Sequence, residues 1–222
     1  MITTSTCDRR VHRCAKPPTR PAEALVAPNE AGEIRALLDL TDRIARHRAE
    51  EPGARICSRS DDYVGPNAEY VLAPFAYPNE SRFSDGSFGI LYAGMDLETA
   101  ARESAHWLTK AYLDSKAPDG LTPRRMYLTM RVVGTLADAR KDSGSVVPAD
   151  VYHPDEYTVS RAFGKTLFPT YEGVWYDSVR HSRGECIGVF FPRIISNASL
   201  EYEVEFEWDG SRFTSFKQIK TF

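Results

Sequence analysis

Three residues with chemically useful side chains follow one another at nearly equal spacing in the middle of the chain. Arg82 precedes Tyr92 by ten residues, and Tyr92 precedes Glu103 by eleven. An arginine guanidinium is a planar fork of donors that suits a phosphate, whereas a lysine supplies a point charge. A tyrosine offers a flat ring for stacking and a hydroxyl for hydrogen bonding. A glutamate carboxylate stabilises positive charge that develops during a reaction.

Further candidates lie beside the arginine and downstream of it. Phe83 is either core packing or a second stacking wall. Ser178 closely follows the apolar segment 174–176, so its hydroxyl can reach a phosphate. No adjacent histidine completes a nucleophile arrangement, which assigns Ser178 to binding rather than to covalent attack. Arg161 and Arg180 are further candidate phosphate ligands.

Each of these side chains also has an ordinary structural interpretation. A glutamate on a helix is most often solvated, and an arginine in a polar loop most often lies at the surface. A strand tyrosine can fill the core, and a serine that follows a strand can bond its own backbone in a turn. Residue type alone leaves both interpretations open.

The segments around these residues predict an α+β domain of short strands with surrounding helices. A strand is expected at 88–92, followed by a helix that Asp96 caps and that runs to about Leu113. Counting about 100° per residue from Leu97 in the buried stripe, Glu103 lies on the helix flank, where its carboxylate can line a cleft. Further strands are expected at 125–133, 174–176, 187–191, 201–208 and, after an Asp-Gly turn, 212–219.

The first sixty residues differ in character from the rest. The proline-rich segment 16–21 is typical of turns and polyproline structure, so residues 1–21 are expected to form an arm. An amphipathic helix is expected from 29 to about 50, and we expect its apolar stripe to pack on the main domain. The predicted division is an N-terminal extension at 1–60 and a main domain at 61–222.

Composition and charge exclude several function classes. The 222 residues are 42% hydrophobic and 27% charged, which is ordinary globular usage. Because 28 Lys and Arg face 31 Asp and Glu, no chain-wide basic field exists to hold nucleic acid. No apolar run approaches the ~20 residues of a membrane span, and the first twenty residues contain no apolar signal core. These observations predict a cytoplasmic protein without direct nucleic-acid or membrane contacts.

The cysteines and histidines predict neither a disulfide framework nor a metal site. Cys7, Cys14, Cys57 and Cys186 are scattered without Cys-x-x-Cys pairs. With His12, the first two are the closest candidate ligands, and no second Cys/His pair follows at zinc-finger spacing. Dinucleotide, P-loop, hydrolase-elbow and zinc-protease signatures are also absent from the sequence.

Three short segments carry a recognisable pattern in a fixed order. They are Arg82-Phe83; Leu91-Tyr92-Ala93 with Glu98-Thr99-Ala100 and Glu103; and Gly173 to Arg180, running into Gly188-Val189-Phe190. Over roughly residues 60–220 the chain resembles the RES domain, a family named for an arginine, a glutamate and a serine. Members usually carry Gly-Gly-Arg-Phe-Asn around the arginine, whereas this loop reads Glu-Ser-Arg-Phe-Ser at 80–84.

The resemblance implies a fold like that of ADP-ribosylating toxins and an intracellular toxin that degrades NAD. It further implies inhibition by a cognate antitoxin, a DNA-binding Xre-like protein. In that setting, Glu103 stabilises the ribosyl cation, Arg82 and Ser178 hold phosphate, Tyr92 holds nicotinamide, and Phe83 contributes to substrate binding. NAD is then a substrate and no cofactor is required. The acceptor is water or inorganic phosphate.

Two other functions fit the same residues. A protein ADP-ribosyltransferase needs the same cation-stabilising carboxylate and differs in that a target side chain captures the ribosyl group. A non-catalytic interaction protein would use the predicted helix at 29–50 for docking and would retain a vestigial cleft.

Overall fold

The computed structural model describes residues 1–16, 63–168 and 170–221. In these ranges, seven strands alternate with three α-helices in a mixed α+β architecture, as expected from the sequence. The strands are β1 (Thr3–Ala15), β2 (Leu91–Gly94), β3 (Arg124–Asp138), β4 (Gly173–Asp177), β5 (Glu185–Val189), β6 (Ile195–Trp208) and β7 (Phe213–Thr221). The helices are α1 (Ala68–Ala76), α2 (Leu97–Asp114) and α3 (Thr158–Leu167).

The strands form one sheet whose pairings close on themselves. Its order is β1-β2-β5-β4-β3-β6-β7, and β1 also pairs with β3. One edge of β3 pairs with β1 along its length, while the other edge pairs with β6 and, near its C-terminal end, with β4. The strands β1, β2, β5, β4 and β3 therefore form a ring of pairings, and β6 and β7 extend the sheet beyond it.

The N-terminal strand corrects the expectation that residues 1–21 form an arm. Thirteen residues of β1 pair antiparallel with β3, from Thr3 opposite Asp138 to Ala15 opposite Met126. Buried Cys7, Val11 and Ala15 contribute to the core, and the residues between them are polar because much of the strand meets solvent. The predicted helix at 29–50 lies outside the described residues, so the division at residue 60 stays a prediction.

The helix that carries the candidate glutamate begins where the sequence predicts. Asp96 is the N-cap of α2, and its carboxylate accepts a hydrogen bond from the Thr99 backbone N–H at 2.7 Å. Ala101 and Leu108 bury the apolar face of α2 against Tyr127 of β3 and Val204 of β6. This packing fixes the rotation of α2 and leaves Glu103 on its flank.

Two helices escape the sequence analysis because each contains a residue that usually interrupts helices. Pro74 lies inside α1 and Gly164 inside α3. Gly164 has a packing reason: a Cβ at this position would stand 2.0 Å from the Phe83 carbonyl oxygen. The loop that carries Arg82 can therefore lie directly on α3.

Among the described residues, no helix is long and apolar enough to span a membrane.

Candidate active site

A cleft of about 400 Å³ opens beside α2, within the range of volumes that small-molecule sites usually have. One wall is a stripe of α2 at helical spacing: Ala100, Glu103, Ser104, Trp107, Leu108 and Ala111. Parts of β1, β2 and β3 and the loop before β2 supply the other walls. Arg82, Tyr92 and Glu103 all line this cleft, so a loop, a strand and a helix converge as their spacing predicts.

Glu103 is held by neutral donors. The Ser178 hydroxyl donates to Glu103 Oε1 at 2.6 Å, and the Cys186 thiol lies 3.8 Å from the same oxygen. Within the described part of the chain, Oε2 accepts no hydrogen bond. Burial raises the pKa of the Cys186 thiol well above its usual value, so this neighbour stays protonated. The carboxylate is thus fixed in the cleft, and no cation of the described residues pairs with either of its oxygens.

Ser178 orients Glu103 and does not line the cleft. Besides donating to Glu103, its oxygen accepts from the backbone N–H groups of Arg180 at 3.1 Å and His181 at 3.0 Å. A serine hydroxyl has one proton and two lone pairs, so these contacts use its full capacity. The expectation that Ser178 holds phosphate is therefore replaced by a positioning role, because no bonding site is left for a ligand.

Arg82 is buried at the edge of the cleft, with 7% of its surface exposed. Its Nη1 donates to the backbone carbonyls of Val151 and His153, each at 3.0 Å. Its guanidinium carbon lies 4.7 Å from the centre of the Tyr157 ring, a cation–π contact. One nitrogen of the guanidinium therefore anchors the segment 151–153. Phosphate binding through the other N–H groups stays a prediction.

Tyr92 lies at the centre of the site, on β2. Its hydroxyl hydrogen-bonds Ser81 Oγ at 2.9 Å and accepts from the Phe83 backbone N–H at 3.0 Å. Burial raises the pKa of Tyr92 to about 12, so the phenol stays neutral at physiological pH. These bonds fix the ring beside the cleft and tie β2 to the loop that carries Arg82.

Phe83 does not contact the cleft, which corrects its expected part in substrate binding. The ring is fully buried and does not line the cavity. It packs edge-on against Tyr176, with the ring centres 5.0 Å apart, and also contacts Phe163 of α3. Its role is to hold the neighbouring arginine in place, because the loop cannot move without opening this aromatic cluster.

The sequence analysis missed the cations that β1 and β3 bring to the cleft. Arg13, Lys16 and Arg125 all line it. Arg13 Nη1 donates to the Tyr92 carbonyl oxygen at 2.8 Å, whereas its buried Nε has no hydrogen-bond partner among the described residues. Burial lowers the pKa of Arg13 to about 10. Local sequence offered little signal for this strand, because its buried residues Cys7, Val11 and Ala15 are four residues apart and do not alternate with polar ones.

Arg161 and Arg180 lie outside the cleft lining and serve local structure. Arg161 pairs with Glu80 at 3.0 Å. Arg180 Nη2 donates to His106 Nε2 at 2.9 Å and also contacts the Pro154 carbonyl. Burial and the Arg180 charge lower the pKa of His106 to about 4, so its ring is neutral. In the described ranges, no three side chains are grouped as a metal site would require.

The site combines a fixed carboxylate with a surplus of arginine and lysine side chains around one cleft. Such an arrangement suits an anionic ligand on which positive charge develops at one point. The family model of the RES domain matches residues 54–209, and the chain belongs to the RES-domain family. This membership is consistent with an enzyme that acts on NAD. No curated protein matches the chain. Strand β1 precedes the matched region, although it supplies part of the cleft.

Proposed function

We propose that the protein cleaves the bond between nicotinamide and ribose in NAD. The observation that carries this proposal is Glu103, fixed by Ser178 in a cleft that arginines surround. Breaking the bond between C1′ and the nicotinamide nitrogen sends the electron pair to nicotinamide and leaves an oxocarbenium-like ribose. A carboxylate without a cationic partner stabilises that developing charge directly.

The rest of the cleft suits the other parts of the dinucleotide. Trp107 is 44% exposed, stands one helical turn after Glu103 and lines the cleft with Tyr92, so a planar nicotinamide has two aromatic neighbours. Arg13 brings a buried guanidinium beside Tyr92, where the pyrophosphate follows the nicotinamide ribose. Four cations and two carboxylates line the cleft, although the whole chain carries a net charge of −3.

The acceptor completes the reaction at C1′. Water adds its oxygen and releases a proton, which gives ADP-ribose. Inorganic phosphate instead forms a C–O–P linkage at the same carbon, which is numbered 1″ in the product, and gives ADP-ribose 1″-phosphate. Either acceptor can approach while Glu103 stabilises the cation, since Oε2 has no bonding partner in the described ranges. Through its family, we further propose an ADP-ribosyltransferase-like fold and the role of a toxin that a DNA-binding antitoxin restrains.

The direct test is nicotinamide release from NAD by the purified protein, measured by chromatography. Glu103→Gln keeps the shape and removes the charge, and we expect kcat/KM to fall by about 10²–10⁴. The matched control is Glu98→Gln, because Glu98 lies on the same helix, is exposed and pairs with Arg102. Equal rates for the wild-type protein and Glu103→Gln would remove the proposal.

Two further measurements define the product and the cellular role. Mass spectrometry with and without added phosphate separates ADP-ribose from ADP-ribose 1″-phosphate, and label from NAD on a discrete protein band would indicate transfer to a protein instead. In cells, induction of the wild-type chain should lower total NAD and arrest growth, while Glu103→Gln should do neither. A normal NAD pool after wild-type induction would contradict the proposed toxin role.

A further inference from the structure

Two cations, Lys16 and Arg125, line the cleft where strands β1 and β3 reach it. Strand β1 pairs Cys14 with Tyr127 and Ala15 with Met126 of β3. Continuing this antiparallel register by one residue places Lys16 directly opposite Arg125. Opposite residues of an antiparallel pair lie on the same face, with Cβ atoms about 5 Å apart, and like charges in such a pair are destabilising. Both residues line the cleft.

No carboxylate neutralises this pair in the described part of the chain. Arg125 Nη1 donates to the backbone carbonyl of Arg124 at 3.3 Å and enters no salt bridge there. Burial lowers the pKa of Arg125, and among the described residues the titratable groups that act on it are Tyr112 and Cys14. A half-buried arginine beside a lysine, with no carboxylate partner among the described residues, is an environment that an anionic ligand stabilises.

The position of the pair relative to Glu103 identifies the part of the ligand that reaches it. The cleft stripe of α2 runs from Glu103 to Ala111, eight residues and therefore about 12 Å along the helix. Arg125 lies by the end of this stripe, near Tyr112. Arg13 and Arg125 both act electrostatically on the Cys14 thiol, and Arg13 donates to the Tyr92 carbonyl oxygen, so Arg13 lies near both Tyr92 and the end of β1. With nicotinamide ribose at Glu103 and pyrophosphate at Arg13, the adenosine ribose lies at the Lys16–Arg125 end.

We propose that Arg125 and Lys16 bind a phosphate group on the adenosine ribose, so that the protein accepts NADP and recognises its 2′-phosphate with this pair. The inference rests on the proposed cleavage of the nicotinamide–ribose bond and adds a substrate to it. The reacting bond is the same in both dinucleotides. Arg125 and Lys16 therefore affect the binding of the dinucleotide and do not contact the bond that breaks.

The test compares NADP with NAD in nicotinamide release. We expect Arg125→Gln to lower the ratio of kcat/KM for NADP to that for NAD by about ten- to a hundredfold, the value of a charge-assisted contact to phosphate. Lys16→Gln should lower the ratio by a smaller factor, and Arg125→Lys should restore part of it. Arg124→Gln is the matched control, since Arg124 is the preceding residue of β3 and pairs with Glu205 at 3.2 Å. An unchanged ratio in Arg125→Gln overturns the inference.

A binding experiment separates this inference from the proposed reaction. The probes are adenosine 2′,5′-bisphosphate, AMP and ADP, titrated into the full chain carrying Glu103→Gln and followed by calorimetry. We expect the 2′,5′-bisphosphate to bind more tightly than AMP by about tenfold or more, and Arg125→Gln to abolish the difference. If Arg125→Gln weakens ADP but not the 2′,5′-bisphosphate, the pair binds pyrophosphate and the inference is wrong. Failure to cleave any dinucleotide would remove the proposed reaction and leave this result standing.

Discussion

Two pairs of facing cations on the same two strands differ in what neutralises them. Near the middle of the β1–β3 ladder, Arg10 stands opposite Arg131. Each has a carboxylate within 2.7 Å: Glu201 for Arg10 and Asp8 for Arg131. At the cleft end of the ladder, the facing cations have no carboxylate among the described residues. The fold therefore neutralises facing charges where the sheet meets solvent and leaves them for a ligand where the sheet meets the cleft.

The carboxylates show the same division. Asp8 and Glu205 accept from arginine or lysine side chains, which lowers the pKa of both. Glu103 accepts from a serine hydroxyl and stands near a thiol. A cation on Glu103 would cancel the charge that an oxocarbenium-like ribose requires. Neutral donors orient the carboxylate without that loss.

Among the cations that β1 and β3 bring to the cleft, the largest effect is expected when the buried Arg13 is removed. Arg13→Met keeps the length of the side chain and removes a desolvated charge, so we expect KM for NAD to rise by about ten- to a hundredfold. The same change should raise Tm, because an unpaired buried charge costs stability. Thermal unfolding and nicotinamide release measure both effects.

The control for Arg13→Met is Arg131→Gln, which removes a neutralised and exposed arginine from the same ladder. It should leave KM unchanged and should not raise Tm. A lower Tm for Arg13→Met together with an unchanged KM would show that Arg13 is a structural residue and would end the contrast between the two parts of the ladder.

The sequence predicts features that depend on neighbouring residues, and it does not predict features that depend on the pairing of distant strands. Asp96, the helix stripe after it and the flank position of Glu103 are local, and the structure confirms them. Cleft cations on β1 and β3 depend on a register between strands more than a hundred residues apart. No local pattern encodes that register, so Arg13 was assigned to an arm and Arg125 to an ordinary strand position.

The sequence predicted which three side chains line the cleft, but it did not predict the hydrogen bonds and burial of the residues around them. The spacing of Arg82, Tyr92 and Glu103 indicated a shared cleft, and all three line it. The spacing could not show that Ser178 has no bonding capacity left, nor that Phe83 is fully buried. Both facts depend on side-chain directions that only the assembled fold fixes.

A smaller effect is expected from the serine that orients Glu103. Ser178→Ala removes the 2.6 Å hydrogen bond while Glu103 and its charge remain. We expect kcat to fall about tenfold, with KM for NAD nearly unchanged, because the missing bond positions the carboxylate and does not contact substrate. Ser178→Thr keeps a hydroxyl and should retain more activity than Ser178→Ala. A rise in KM at constant kcat would instead return Ser178 to phosphate binding.

The smallest effect concerns Arg180, whose closer contact is to a neutral ring and whose carboxylate partner, Asp155, lies at 3.6 Å. Arg180 donates to His106 Nε2, and the pKa of His106 is lowered to about 4 from an ordinary value of 6.5. Between these values the unfolded chain binds a proton that the folded chain does not, so stability falls as pH decreases from 6.5 toward 4. His106→Gln removes this titration, and we expect its Tm to fall less than that of the wild-type protein over the same interval. Parallel curves of Tm against pH for the two proteins would show that the pKa of His106 is not lowered in the folded protein, and that Arg180 does not hold this ring neutral.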